Sequence, residues 1–171
     1  MGDWIRARAL EASDELAAFS SGSADLDLWF EKYALGNHRS GMTKVFVSTS
    51  STEPNRVLGF YALATGGVEP SKMPTRVLKG IPKHEVPVII LARLATDQTV
   101  QGQGLGKALM VDAFRRIARI TEDVGIRALL IHAKDQAARD FYLKIAEFEP
   151  SPTDPLHLIL LLKDLRKTLN P

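Results

Sequence analysis

Apolar residues recur at helical spacing at Leu26, Trp29, Phe30, Tyr33 and Ala34, which predicts a helix over residues 24–38 with Ser23 or Asp25 at its start. The aromatics of that stripe are expected in the core. Ahead of it, residues 5–10 read as a first strand. Beyond Gly41, residues 44–48 and 57–64 read as two strands of an antiparallel hairpin, joined by a turn at 50–55 that contains Pro54. Pro70, Pro74 and Pro82 interrupt the next segment and leave room for one short helix near 75–79. Residues 86–95 are almost continuously apolar, the pattern of a strand buried on both faces, and Arg93 is their one charge. A second stripe of Leu105, Ala108, Leu109, Ala113, Ile117 and Ile120 predicts a helix over 105–123 that Gly125 ends. Lys107, Asp112, Arg115, Arg116 and Arg119 lie off that stripe. A strand at 127–133, a helix capped by Asp135 and running to 146, and a last strand at 156–162 complete the pattern. There is no internal repeat, low-complexity tract or linker. A β-rich first half followed by β-loop-α-β-α-β indicates a single α/β (α+β) domain over residues 1–171, built on a mixed sheet.

At 171 residues, 45% hydrophobic and 25% charged, the chain is long enough to bury a core and too apolar for wholesale disorder. It contains no cysteine, which excludes a disulfide framework, a thiolate nucleophile and a Cys-based zinc site, and no metal is expected. No stretch approaches the roughly 18 apolar residues of a membrane span. Residues 1–10 carry Asp3, Arg6 and Arg8 where a signal peptide has its apolar run, so a soluble, cytoplasmic protein is expected. The net charge of +2 says little about partners, but residues 71–84 hold Lys72, Arg76, Lys79 and Lys83 with no acid among them. Such a patch can meet phosphates, or it is an ordinary solvated loop.

The chemical centre is Gln101-Gly102-Gln103-Gly104-Leu105-Gly106-Lys107, between the buried strand and the long helix. Free N–H groups at a helix start, at the positive end of its dipole, make an anion site, and glycines let the backbone come close to it. A diphosphate is the natural ligand. A P-loop is excluded because Ala108 follows Lys107 where Ser or Thr must bind magnesium, and the glycine spacing differs. A dinucleotide fingerprint is excluded because Lys107 stands where its last glycine belongs.

Gln101, Gly104 and Gly106 do match the (Gln/Arg)-x-x-Gly-x-(Gly/Ala) signature, which resembles that of GNAT acetyltransferases. A second element, Ala137-Ala138-Arg139-Asp140-Phe141-Tyr142, resembles the A-x-x-F-Y helix that in those proteins packs beside the coenzyme A thiol. The resemblance narrows to the acetyltransferase toxins of bacterial toxin–antitoxin pairs. It is carried by residues 87–95 (PVIILARLA) and the loop after them, with 21–30 (SGSADLDLWF), 59–64 (GFYALA), 124–133 (VGIRALLIHA) and 150–152 (PSP). The chain departs from the family at Ile145-Ala146-Glu147-Phe148, where a glycine is missing and the segment is one residue longer, and at Thr96, where valine is commoner.

The resemblance implies a GNAT fold, a mixed and mostly antiparallel sheet flanked by helices, with acetyl-CoA as cofactor. It implies that the backbone of Leu94, Ala95 and Thr96 pairs with the pantetheine arm. The pyrophosphate would lie on amides of the loop, from Gln101, Gly102, Gln103 and Gly104 to Leu105, Gly106 and Lys107. Asp135, Ala138 and Phe141 would lie near the cofactor, and the Tyr142 phenol would serve the departing thiolate. It implies an aminoacyl-tRNA substrate acetylated on its α-amino group, a block of translation, a ribbon-helix-helix antitoxin as partner, and a homodimer.

Attack on a thioester needs a neutral amine. Lysine amines titrate near ~10.4 and benefit from a base, whereas an α-amine near ~7.7 needs less help. Residues 87–95 hold no carboxylate, Glu85 and Asp97 only flank them, and His132 reads first as a core residue of its strand. That pattern favours an α-amine acceptor. Binding a polyanionic tRNA calls on Lys44, Arg76, Lys79, Lys83 and Arg93. Alternatives are a GNAT enzyme acting on a small amine or a protein N-terminus, and a non-catalytic component that binds coenzyme A or works in an antitoxin-bound repressor complex.

Overall fold

The structure, a computed structural model, describes residues 2–171. In chain order the elements are β1 (Arg8–Ala9), α1 (Ala24–Ser40), β2 (Lys44–Thr49), β3 (Val57–Val68), α2 (Thr75–Leu78), β4 (Val86–Thr96) and α3 (Leu105–Ile120), then β5 (Ala128–His132), α4 (Gln136–Ile145), β6 (Glu149–Ser151), β7 (Asp154–Leu161) and α5 (Leu162–Leu169). The seven strands are ordered β1-β2-β3-β4-β5-β7-β6. Pairing is antiparallel for β1–β2, β2–β3, β5–β7 and β6–β7, and parallel for β4–β5. The sheet is thus mixed and mostly antiparallel, as expected.

The chain forms two compact units, Met1–Ala64 with Ala92–Ala113, and Thr65–Leu91 with Phe114–Pro171. In the first, an aromatic cluster fills the space between α1 and the β2–β3 ladder. Phe30 stacks on Phe60 at 4.1 Å, and Phe19 meets both rings edge-on. Such pairs add roughly 0.5–1.5 kcal/mol each beyond their burial. α3 lies close to β3 because Gly59 has no side chain: a Cβ there would come within 3.0 Å of Leu105 and of Leu109. Tyr61 and Asp112 are both buried, and the Tyr61 hydroxyl donates to Asp112 Oδ2 at 2.6 Å while Arg6 Nε donates to Oδ1 at 3.2 Å.

In the second unit Val77, Val86, Val88, Ala128, Leu130, Ile159 and Leu161 form the core. Arg127 donates from Nε to the Val77 carbonyl and from Nη2 to that of Lys79, which ties the C-terminal end of α2 to the residue just before β5. Arg76 grips Asp164 with both Nη atoms, 3.0 Å for the Nη2 bond, and Nη1 also reaches Glu149 at 3.4 Å.

Several expectations change. The first strand shrinks to two residues, since only Arg8 and Ala9 keep register with Val47 and Phe46, although the Ile5 and Leu10 amides still donate to Thr49 and Val45. Tyr33 is 56% exposed and not core. Ala108 and Ile120 of the second stripe are exposed, whereas Met110, Asp112 and Phe114 are buried, so the buried face of α3 is rotated from the predicted one. The start of α1 takes no side-chain cap from Ser23; instead Asp27 accepts from the Ser21 amide and hydroxyl. β6 and α5 were not foreseen. Pro150, Pro152 and Pro155 mimic a turn, but proline is tolerated at a sheet margin, and β6 is last in the strand order.

Tyr61→Phe removes a charge-assisted hydrogen bond from a buried carboxylate, so it should lower stability by about 1.5–3 kcal/mol. A lower urea midpoint at unchanged slope is the expected reading; an unchanged midpoint would show the bond contributes nothing net.

Candidate active site

The glycine loop has the backbone that an anion cradle requires. Gly102 and Gly104 take φ of +78° and +94°, conformations that L side chains rarely adopt. A Cβ built at either position meets nothing within 4 Å, so the surface over the loop is open. The Ala108 amide donates to the Gly104 carbonyl as the first helical bond, which leaves the preceding amides of α3's first turn without an intrahelical acceptor. Residues 101–104 and Lys107 are exposed, and Leu105 is buried as the helix anchor.

Three contacts hold that loop. The Gln101 side chain donates to the carbonyls of Ser21 (2.8 Å) and Thr96 (3.0 Å), so it clasps the loop to the end of β4. The Asp97 amide donates to the Leu58 carbonyl at 2.7 Å. The buried Asp97 carboxylate accepts from the Ser20 amide and from the amide and hydroxyl of Thr99. Burial alone would raise its pKa, but those bonds, with the charge of Arg56, hold it below the ordinary carboxylate range. Asp97 is therefore a fixed anion and a poor proton acceptor, which removes it as a candidate base.

The parallel ladder of β4 and β5 pairs Val88 to Leu91 with Ala128 to Ile131, and β4 itself continues to Thr96. Leu94, Ala95 and Thr96 lie past the end of that ladder; Ala95 is buried and the other two are half-buried. Arg93 is half-buried, with its guanidinium 4.2 Å from the centre of the Trp29 ring, and burial draws its pKa down. A cation–π contact, not a salt bridge, is how β4 accommodates this charge. Trp29 therefore has a role besides filling the core.

On α4, Asp135 caps the helix by accepting from the Ala138 amide at 2.9 Å. Tyr142 is buried, in edge contact with Phe141 (5.3 Å) and Phe148 (6.3 Å). Burial pushes its pKa up to about 12, so the phenol stays protonated at neutral pH and has an O–H to donate. The missing glycine after this helix has a simple explanation. Ala146, at φ −152°, closes α4 in an extended conformation, so no left-handed residue is needed there.

Of the cations expected to meet RNA, Lys79 and Lys83 are exposed. Lys44 is exposed too, and its Nζ donates to the His38 carbonyl at 3.1 Å. Arg76 differs from expectation: Asp164 and Glu149, brought from distant parts of the sequence, neutralise it and hold its pKa above the ordinary arginine value. His132 is not a core residue. The residue reaches solvent, but one face of its ring is covered by that of His157, with centroids 3.9 Å apart. The sequence signal for that pair was Asp154 three residues before His157, but only strand register sets the two histidines opposite each other.

Comparison with known proteins places the fold. Residues 43–145 match the family described as an acetyltransferase (GNAT) domain. A tRNA-acetylating toxin of Mycobacterium tuberculosis is 45% identical over 166 residues, 97% of each chain. Among solved structures, AtaT complexed with acetyl-methionyl-tRNAfMet superposes with a TM-score of 0.87 at 27% identity, over 96% of this chain and 98% of that one. AtaTR bound with AcCoA gives 0.83 at 27% identity, over 98% of both. The chain belongs to the GNAT acetyltransferases.

A side chain at position 104 would strain the cradle. Gly104→Val should weaken acetyl-CoA binding about tenfold or more, the equivalent of ~1–3 kcal/mol of backbone strain. Calorimetric titration with acetyl-CoA checks it, and an undiminished affinity would remove the loop from the binding site.

Proposed function

We propose that this chain is an acetyl-CoA-dependent N-acetyltransferase that acetylates the α-amino group of aminoacyl-tRNA and so acts as a translation-blocking toxin. The observation that carries this reading is the 45% identity, across nearly the whole of both chains, to a tRNA-acetylating toxin. Supporting it are a structural likeness to AtaT complexed with acetyl-methionyl-tRNAfMet and the absence of any carboxylate along β4 that a lysine acceptor would call for.

Acetyl-CoA, when bound, supplies an acetyl group activated as a thioester. The open loop fits its pyrophosphate: amides from Gln101 to Lys107 hold the diphosphate, with the Lys107 charge at hand. The backbone of Leu94, Ala95 and Thr96 receives the pantetheine amides as an added strand would. Asp135 and Ala138 set the start of α4, and Phe141 packs beside Tyr142 near the cofactor. Tyr142 donates a hydrogen bond to the sulfur as it departs. Its raised pKa suits it to stabilise a thiolate without becoming an anion itself.

Lys44, Lys79, Lys83 and the Trp29-stacked Arg93 meet the phosphates of the acceptor stem, while Arg76 braces the surface from which Lys79 projects. A ribbon-helix-helix antitoxin is the partner and a homodimer the working form, in the cytoplasm. No described helix is long and apolar enough to cross a membrane.

With labelled acetyl-CoA and total charged tRNA, label should enter the RNA on the amino acid. Tyr142→Phe should cut that transfer by about 10²-fold or more while acetyl-CoA still binds. Label confined to small amines or protein would replace tRNA as the acceptor. The pair Lys79→Glu and Lys83→Glu should raise KM for tRNA and flatten its salt dependence by nearly one log unit per lost phosphate contact. An unchanged salt slope would place the RNA elsewhere.

A further inference from the structure

A cavity of about 410 Å³ in the second unit has an apolar floor of Ile90, Leu130 and Ile159. Its polar rim is unusual. Glu69 and Glu85 bring two carboxylates against one cation, Lys72, and His132 and His157 complete the wall. The Glu85 carboxylate lies over Gly67, where a Cβ would stand 1.8 Å from it, so the bare backbone there leaves room for the acid in this position. Acids in excess over cations, above an apolar floor, suit a substrate end that carries an ammonium beside an apolar group.

His132 and His157 are direct cross-strand partners on β5 and β7, with rings nearly parallel at 13°. Asp154 Oδ2 lies 3.3 Å from His157 Nε2, while Oδ1 accepts from the Leu156 amide and is thereby fixed. We propose that His132 is the proton acceptor for the substrate amine, with His157 and Asp154 as its supporting pair and the cavity as the seat of the amine-bearing end. This rests on the reading of the chain as an N-acetyltransferase.

The electrostatics agree with that role. Burial is the first cause that holds the His132 pKa below its ordinary value; a charge on His157 lowers it further and Asp154 partly opposes this. The imidazole is accordingly neutral at neutral pH with a lone pair to offer. The other charged or polar groups at the cavity are Glu69 and Lys72 after β3, Glu85 before β4 and Ser151 on β6, whose hydroxyl donates to the Lys72 carbonyl. Lys134 follows β5 and is exposed.

In the transfer, an ammonium N–H bond breaks and the proton passes to an imidazole nitrogen of His132. The freed lone pair forms the C–N bond to the acetyl carbon, and the C–S bond breaks. The nitrogen's second proton passes to the departing sulfur as the amide forms, while the Tyr142 hydroxyl keeps its own proton and hydrogen-bonds that sulfur, and His132 releases its proton to water. One proton is released per amide made.

The test compares pH profiles of kcat/KM for wild type, His132→Gln and His132→Ala with two acceptors, charged tRNA and methionine methyl ester. His132→Gln keeps a planar polar side chain against His157 but cannot titrate. Near pH 6.5 both variants should fall about tenfold, because most of an α-amine near ~7.7 is still protonated there. The gap should close toward pH 9, where the amine is neutral unaided, and added imidazole should restore part of the His132→Ala rate. Acetyl-CoA affinity should be unchanged in all three. A deficit that is the same at every pH, or no deficit, overturns the assignment even while tRNA is acetylated by wild type. Wild type that acetylates the ester and not tRNA sinks the RNA reading, and the ester profiles then decide on His132.

Discussion

A strand that enters a helix through a short loop can present free amides to an anion only if the backbone turns through conformations closed to most residues. Gly102 and Gly104 supply them, at φ +78° and +94°. The turn is then held from outside itself: Gln101 spans to the Ser21 and Thr96 carbonyls, and the ionised Asp97 gathers the Ser20 and Thr99 amides. Gly59 adds the last requirement, a shallow surface on β3 against which Leu105 and Leu109 seat the helix. The glycines, Gln101, Asp97 and Gly59, with partners as far away as Ser20 and Ser21, thus maintain one loop conformation, which is what gives a handful of backbone N–H groups a fixed direction.

Charge inside an apolar frame is tolerated only with a partner, and three of the chain's charges besides Asp97 show how. Asp112 is bonded by Tyr61 and Arg6, Asp164 is gripped by Arg76, and Arg93 lies over the Trp29 ring. These commitments sort the cations. Those neutralised by acids brace the fold, and those at exposed positions such as Lys79 and Lys83 face solvent. The histidine pair differs from all three, because its members face each other across β5 and β7 beside open space.

Much of the fold is legible in the sequence. The positions of α1, the β2–β3 hairpin, β4, α3, β5 and α4 followed from period and punctuation, because long runs with one dominant period leave little ambiguity. The glycine spacing named its ligand class, and Asp135 announced the start of α4. Family resemblance supplied expectations that period could not, a role for Tyr142 and an aminoacyl-tRNA acceptor.

The rest depended on contacts between residues far apart in the chain. Asp112 looked solvated because helical periodicity ranks positions by neighbours three and four residues away, whereas burial depends on Tyr61 across the core. Arg76 looked free because the run around it has no acid, until Asp164 and Glu149 were folded against it. His132 looked like a core residue because its strand is apolar; the register with β7 instead places it at a cavity rim opposite His157. Local sequence therefore determined the elements and the anion loop, since those arise from backbone preferences and short-range pattern. Tertiary packing decided which charges are spent and which remain available, since pairing across elements is a property of distance in space.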